Sequence, residues 1–181
     1  MKKILLTVLF ILAIFQMVVL ATAIDVGSAA INGDTTSILA TLVSRDNTAN
    51  ETGVITSVEI WAETNLANCE VATFDEGDAS ILTTRDNESI GAVTADSKQT
   101  FVVSLNIVAG DMIGIYFSSG SMDMTGDAGA VGTYYLAGDQ IPCTGADFSL
   151  YGPAPMKRLS LYGTGATPAA TTTNIFMGVN F

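Results

Sequence analysis

Residues 100–117 read TFVVSLNIVAGDMIGIYF, and this stretch decides the fold. In an extended strand, successive side chains point to opposite faces. The first half places four apolar side chains on one face, namely Phe101, Val103, Leu105 and Ile107. The second half places three on one face, namely Ile113, Ile115 and Phe117. The Ala-Gly-Asp-Met turn between the halves predicts that they form a β-hairpin.

Similar short segments recur along the chain, separated by clusters of Gly, Asn, Asp and Thr. After the N-terminal apolar run, no stretch carries a sustained apolar period of 3.6 residues, so helices are not expected. The predicted strands are 37–43, 54–62, 70–74, 81–85, 99–108, 113–118, 133–137, 147–151, 158–162 and 174–181. This spacing predicts an all-β antiparallel β-sandwich of about 8–10 strands, with a jelly roll as the leading topology. We expect the sandwich to occupy residues 24–163.

The N-terminus reads MKKILLTVLFILAIFQMVVLATA. Two lysines, an apolar run and small residues at the end are the three parts of a secretory signal peptide, which predicts cleavage after Ala23. The alternative is an uncleaved anchor, because the run approaches the about 20 apolar residues that span a bilayer. Both interpretations predict a secreted, extracellular or cell-surface location.

The C-terminal segment differs in composition from the chain before it. Residues 164–173 are small, uncharged and rich in Thr and Ala, which is typical of an extended linker. Residues 174–181 return to strand character. Their alternating apolar residues are Ile175, Met177, Val179 and Phe181. This strand could complete its own sandwich, or it could complete the sheet of a neighbouring subunit by strand exchange.

The chain is strongly acidic. It carries 18 acidic and 7 basic residues, for a net charge of −11, and losing Lys2 and Lys3 with the leader would make it more negative. Such a surface repels phosphate backbones, which argues against nucleic acid as a partner. The chain also has no histidine, which removes Ser-His-Asp and Cys-His catalysis and imidazole acid–base chemistry.

The two cysteines are Cys69 and Cys143. An even number of cysteines in an exported chain predicts one disulfide. The bridge would close a loop of about 75 residues and would contribute roughly 4 kcal/mol in the chain-entropy model. Two isolated cysteines lack the spacing of zinc ligands.

Two acidic loops could hold a hard cation through oxygen ligands, with Ca²⁺ as the cofactor. The predicted ligands are Asp75, Glu76, Asp78, Asp123 and Asp127. Neither loop matches the EF-hand pattern, and solvated acidic turns are common in acidic proteins.

The only tryptophan, Trp61, lies out of phase with the aliphatic residues of its strand. In TSVEIWA, Val58, Ile60 and Ala62 share one face with Val54, and Trp61 shares the other with carboxylates. Tyrosines on other strands are also out of phase. If these faces coincide, aromatic rings and carboxylates would form a platform of the kind on which sugars stack. The predicted binding residues are Trp61, Glu59, Glu63, Tyr116 and Tyr135. Alternatively, Trp61 is covered by other parts of the chain.

These observations predict a non-catalytic, secreted or cell-surface β-sandwich protein whose partner is a surface glycan or another protein. One alternative is a structural subunit of an extracellular filament or coat that self-associates through its C-terminal strand. A weaker alternative is a carboxylate-based glycoside hydrolase. Glu59 and Glu63 are about 13 Å apart along a strand. That exceeds the about 5 to 9.5 Å that such enzymes need, so a carboxylate on another strand would be required.

Overall fold

The computed structural model describes residues 21–152 and 155–168. The secondary-structure elements in this part of the chain are all β-strands. The first seven strands are β1 (Ala23–Gly27), β2 (Thr35–Thr36), β3 (Thr41–Ser44), β4 (Gly53–Trp61), β5 (Leu66–Asp78), β6 (Ile81–Val93) and β7 (Lys98–Ile107). The others are β8 (Met112–Tyr116), β9 (Asp123–Gly126), β10 (Thr133–Leu136), β11 (Ala146–Asp147), β12 (Ser149–Leu150), β13 (Lys157–Leu159) and β14 (Leu161–Ala166).

The strands form a jelly-roll sandwich. A four-stranded sheet has the order β1-β14-β4-β7, and a seven-stranded sheet has the order β11-β6-β5-β8-β3-β10-β12. Every pairing is antiparallel. Eight strands trace the jelly roll, in the chain order β1, β3, β4, β5, β6, β7, β8 and β14. At each step along this series the chain crosses to the other sheet, except at the hairpin between β5 and β6. This is a jelly-roll order, and the predicted all-β antiparallel sandwich is confirmed.

The core between the two sheets is built by the alternation that the sequence predicts. Along β7, Val103, Leu105 and Ile107 are buried, whereas the residues between them are exposed. Ile113 and Ile115 of β8 belong to the same apolar cluster. Their burial removes apolar surface from water at about 25 cal/mol per Å², the main favourable contribution to folding.

A second apolar cluster covers the opposite face of the seven-stranded sheet. Val43 and Phe74 point into it, and Ile141 and Phe148 from the segment after β10 pack on them. The rings of Phe74 and Phe148 meet edge to face, with centroids 6.1 Å apart. Because both faces of this sheet are buried, all residues of β8 except Tyr116 are fully buried.

The predicted hairpin between the two halves of residues 100–117 is wrong. β7 pairs with β4, whereas β8 pairs with β5 and β3. The residues between β7 and β8 therefore cross from one sheet to the other. The apolar faces of β7 and β8 are buried because they meet across the core. Alternation of apolar residues alone does not distinguish this arrangement from a hairpin.

Other details of strand assignment also differ from the sequence prediction. The pairing of β4 with β7 shifts between Ile55 and Ser57, so Ile55 is buried and Val54 only partly buried. A bulge of this kind reverses the alternation locally. Strand β14 includes residues 164–166, the first three of the predicted linker. Strand β1, which pairs with β14, was not predicted, and neither were β2 and β9, which form a small sheet with β13.

The predicted disulfide is wrong, because both cysteines are free thiols. Cys69 lies in the core between the sheets, whereas Cys143 packs against the second cluster on the other face of the larger sheet. The sheet itself separates them. Burial raises the pKa of the Cys69 thiol to about 11. The Cys143 sulfur lies 3.6 Å from both Leu82 O and Thr84 Oγ1.

Several sequence predictions lie outside the described residues. These are the signal peptide or anchor up to residue 20, the rest of the linker after Pro168, and the exchangeable strand. The apolar positions of that strand are Ile175, Met177, Val179 and Phe181. The described residues contain no helix long and apolar enough to span a membrane.

Candidate functional site

The side of the four-stranded sheet that points away from the core carries Trp61. On β4, Val58 and Ile60 are buried. Glu59 and Trp61 alternate with them and therefore point outward. Lys98 of β7 is paired with Trp61, and Tyr162 of β14 is paired with Glu59. Paired residues of neighbouring strands lie on the same face. Glu59, Trp61, Lys98, Val102 and Tyr162 thus form one surface, which we term the outer sheet face.

Two aromatic residues of neighbouring strands lie on the outer sheet face. Tyr162 is the diagonal neighbour of Trp61, and diagonal neighbours are about 7–8 Å apart. Both side chains are partly exposed. Val102, opposite Ser57 on the same face, is 88% exposed. Trp61 lies on the polar side of its strand because the phase of β4 directs it away from the core.

Polar contacts fix the side chains around these rings. Lys98 Nζ donates to Glu59 Oε1 at 2.9 Å, and Tyr162 OH donates to Asp25 Oδ2 at 3.2 Å. Burial, together with the carboxylates of Asp25 and Glu59, raises the pKa of Tyr162. The phenol therefore keeps its proton and remains a hydrogen-bond donor at neutral pH.

The structure divides the five predicted binding residues. Trp61 and Glu59 lie on the outer sheet face, and Glu63 is exposed just after β4. Tyr116 and Tyr135 belong to strands of the larger sheet. Tyr116 packs against the second cluster, and Tyr135 packs against the core between the sheets. They do not join Trp61 on one platform.

Tyr162 takes the place that the prediction gave to Tyr116 and Tyr135. The sequence predicts that Tyr162 points outward, because Tyr162 follows Leu161 on the strand and Leu161 is buried. All these tyrosines share the same out-of-phase signal. Their assignment to a sheet depends on strand order, which a single sequence does not reveal.

The first group of predicted calcium ligands is used in internal contacts. Asp75 faces Arg85 at 3.7 Å, and Glu76 Oε1 accepts the Tyr134 hydroxyl at 2.8 Å. Asp78 Oδ1 accepts the N–H of the next residue at 3.0 Å. These carboxylates lie on the extended strand β5, whose consecutive side chains point to opposite faces. They therefore do not converge on one point.

The second group does not form a cation site either. Asp127 Oδ2 lies 3.4 Å from the Arg158 guanidinium, which already balances its charge. Asp123 is buried, and its Oδ1 accepts the Gly33 N–H at 3.3 Å. Within the ranges that the structure describes, no three acidic or cysteine side chains come together to hold a metal ion.

No protein-family model matches this chain, and comparisons with curated proteins and with solved structures give no match either. Function must therefore be inferred from geometry. The outer sheet face offers aromatic surface next to an ammonium group, a phenol oxygen and carboxylate acceptors. Such a surface can hold a ligand that has both apolar C–H faces and hydroxyl groups.

Proposed function

We propose that this chain is a non-catalytic, secreted or cell-surface protein that binds a neutral glycan through its outer sheet face. The observation that carries the proposal is the placement of Trp61 and Tyr162 as diagonal neighbours on one outward surface. Trp61 is the only tryptophan of the chain, it is partly exposed, and it shares this surface with Val102, which is 88% exposed. Apolar side chains that share one exposed surface are typical of an interaction site.

The chemistry of a sugar ring matches this surface. Its C–H faces stack on aromatic rings, and its hydroxyl groups both donate and accept hydrogen bonds. Glu59 and Asp25 supply acceptors, and Lys98 supplies donors. Because the sheet is extended, several sugars of a chain could lie along it. An acidic glycan would be repelled by a protein of net charge −11, so a neutral glycan is favoured.

Binding rather than catalysis is supported by two features. The chain has no histidine, and Glu59 is engaged by Lys98 rather than by a second carboxylate. A glycosidase needs a carboxylic acid and a carboxylate at a defined separation.

The test uses Trp61 as its own reporter. Soluble β-glucan, mannan, xylan and galactan are titrated into the protein while its tryptophan fluorescence is recorded, and affinities are measured by calorimetry. We expect at least one polysaccharide to change the fluorescence saturably. Trp61→Ala is expected to weaken binding about tenfold or more, because loss of one stacking partner removes about 1.4 kcal/mol or more.

Two further variants make the test specific. Trp61→Phe keeps an aromatic ring and should retain part of the affinity. Leu150→Ala alters an exposed apolar residue on the larger sheet and should bind like the wild type. Circular dichroism checks that each variant is folded. Absence of binding to every polysaccharide, equal binding by folded Trp61→Ala, or release of reducing ends would each overturn the proposal.

A further inference from the structure

The stretch of sequence that decides the fold also forms an edge of the sandwich. β7 is the last strand of the four-stranded sheet, and β4 is its one strand partner among the described residues. We term the side of β7 that faces away from β4 its free edge. Residues 99–110 contain no charged residue and no proline. Because uncharged segments of high β-propensity pair readily with copies of themselves, such a segment at a sheet edge favours association.

The free edge of β7 is hydrogen-bonded to side chains of the larger sheet. From β6, Glu88 Oε2 accepts the Ser104 N–H at 2.8 Å, and Asp86 Oδ2 accepts the Asn106 N–H at 2.8 Å. Asp86 Oδ2 also accepts the side-chain N–H of Asn106 at 2.7 Å. From β5, the Thr73 hydroxyl donates to Asn106 O at 2.7 Å. Side chains therefore occupy backbone groups that a neighbouring strand would otherwise use.

The direction of the two carboxylates follows from their strand register. Asp86 and Glu88 are paired with Thr73 and Val71 of β5, both of which are buried. Paired residues lie on the same face, and Val71 belongs to the core between the sheets. Asp86 and Glu88 therefore point toward the four-stranded sheet. Inward-pointing charges of this kind are one of the devices by which β-sheet proteins prevent pairing between edges.

We infer that Asp86 and Glu88 keep the free edge of β7 closed, and that without them this edge pairs with β7 of a second copy of the chain. An added strand has to displace both carboxylates from backbone N–H groups, and such charge-assisted hydrogen bonds are strong. The partner is a second copy because identical uncharged strands pair without carboxylate repulsion, although the whole chain has a net charge of −11. The inference does not depend on glycan binding.

The test removes both carboxylates in the double variant Asp86→Ala/Glu88→Ala and measures its molar mass by light scattering after size-exclusion chromatography. The buffer contains 0.15 M NaCl, which shortens the Debye length to about 8 Å and limits repulsion between the acidic copies. We expect the wild type to be monomeric and the double variant to form oligomers whose size rises with protein concentration.

Amide hydrogen exchange tests the closed edge in the wild type itself. The backbone amides of Ser104 and Asn106 should exchange about tenfold or more slowly than in an unfolded chain, because each donates to a charged group. In dilute, monomeric Asp86→Ala/Glu88→Ala this protection should be lost. Exchange of both wild-type amides at the unfolded rate would overturn the inference, whether or not the double variant folds.

Two double variants separate the hydrogen bonds from the charge. Asp86→Asn/Glu88→Gln keeps an acceptor oxygen at each position and should remain monomeric. Glu70→Ala/Asp78→Ala removes the same charge from β5 and should also remain monomeric. Association of either variant to the same extent as Asp86→Ala/Glu88→Ala would contradict the assignment of the two carboxylates to the free edge.

Val102 identifies the segment that pairs, because it lies on β7 and is 88% exposed. Adding Val102→Lys to Asp86→Ala/Glu88→Ala places a charge in the pairing segment and should restore the monomer. Circular dichroism and urea unfolding check that each variant is folded. A folded Asp86→Ala/Glu88→Ala variant that stays monomeric at every concentration, or association that persists with Val102→Lys, would refute the inference.

Discussion

Asp123 is an acidic residue in an environment that disfavours its charge. Its side chain is buried, and its Oδ2 has no hydrogen-bond partner among the described residues. Burial raises the pKa of Asp123 above its ordinary value, and the nearby carboxylates of Glu63 and Asp96 act in the same direction. The Gly33 N–H, which donates to Oδ1, opposes this shift only in part.

The sign of this shift predicts how Asp123 affects stability. A folded-state pKa above the unfolded value means that the folded protein binds the proton more tightly. The stabilising contribution is therefore present below about pH 4 and is lost as the pH rises through the folded pKa. Asp123→Asn removes the buried charge and should stabilise the protein by about 1–3 kcal/mol at pH 7. Urea unfolding at a series of pH values measures this, and the gain should shrink toward low pH.

Glu51→Gln is the control for this prediction, because Glu51 is an exposed carboxylate. It should change the free energy of unfolding by less than about 0.5 kcal/mol at every pH. A loss of stability at neutral pH in Asp123→Asn, or a gain that does not depend on pH, would contradict the conclusion that the buried charge of Asp123 destabilises the folded protein.

At single residues, the sequence predicts whether a side chain points into the core or outward better than it predicts which strands pair. The outward phase of Trp61 and Glu59 follows from alternation on β4. The burial of Asp123 does not, because SMDMTG has the composition of an acidic loop. Its strand, β9, is recognisable only from its pairing with β2 and β13.

The segment between β7 and β8 is predicted from the sequence as a hairpin turn, but it crosses from one sheet to the other. Its ends are fixed by local contacts, since Asp111 N–H donates to Val108 O at 2.9 Å. A second hydrogen bond joins the crossing to the loop between β3 and β4, where the Ala49 N–H donates to Asp111 O at 2.8 Å. A turn of this composition suits a hairpin as well as a crossing. The distinction depends on which strands pair with β7 and β8, and that is set by the rest of the sandwich.

Asp111 holds this crossing by its side chain. It is 3% exposed, it binds the guanidinium of Arg85 on β6 through both oxygens, and it accepts the Val108 N–H at 2.8 Å. Asp111→Ala leaves Arg85 and the Val108 N–H without this acceptor. We expect it to lower the free energy of unfolding by about 3 kcal/mol, measured by denaturant unfolding.

The Lys98–Glu59 pair provides the comparison, because it joins the same kinds of charge on an exposed surface. Glu59→Gln should cost less than about 1 kcal/mol, as is usual for exposed ion pairs. Equal losses in the two variants would mean that Asp111 acts as an ordinary surface charge and does not fix the crossing.

For the molecule as a whole, composition and strand spacing were sufficient to predict an all-β sandwich of jelly-roll type. They were not sufficient to predict that the larger sheet is covered on its second face. The covering segment, AGDQIPCTGADF, has only isolated apolar residues, among them Ile141 and Phe148. That layer also explains why the two cysteines cannot meet, since Cys143 lies in it and Cys69 lies in the core.

The charge of the molecule predicts a response to salt. The chain carries a net charge of −11, so its carboxylates repel one another more than they are attracted to its few cations. Raising ionic strength from 0.01 to 0.15 M shortens the Debye length from about 30 to about 8 Å, which screens this repulsion. We therefore expect the melting temperature to rise with NaCl over this range. Sucrose at equal osmolality controls for effects unrelated to charge. A flat or falling melting temperature would mean that ion pairs such as Arg85–Asp111 outweigh the net repulsion, because these too are weakened by salt.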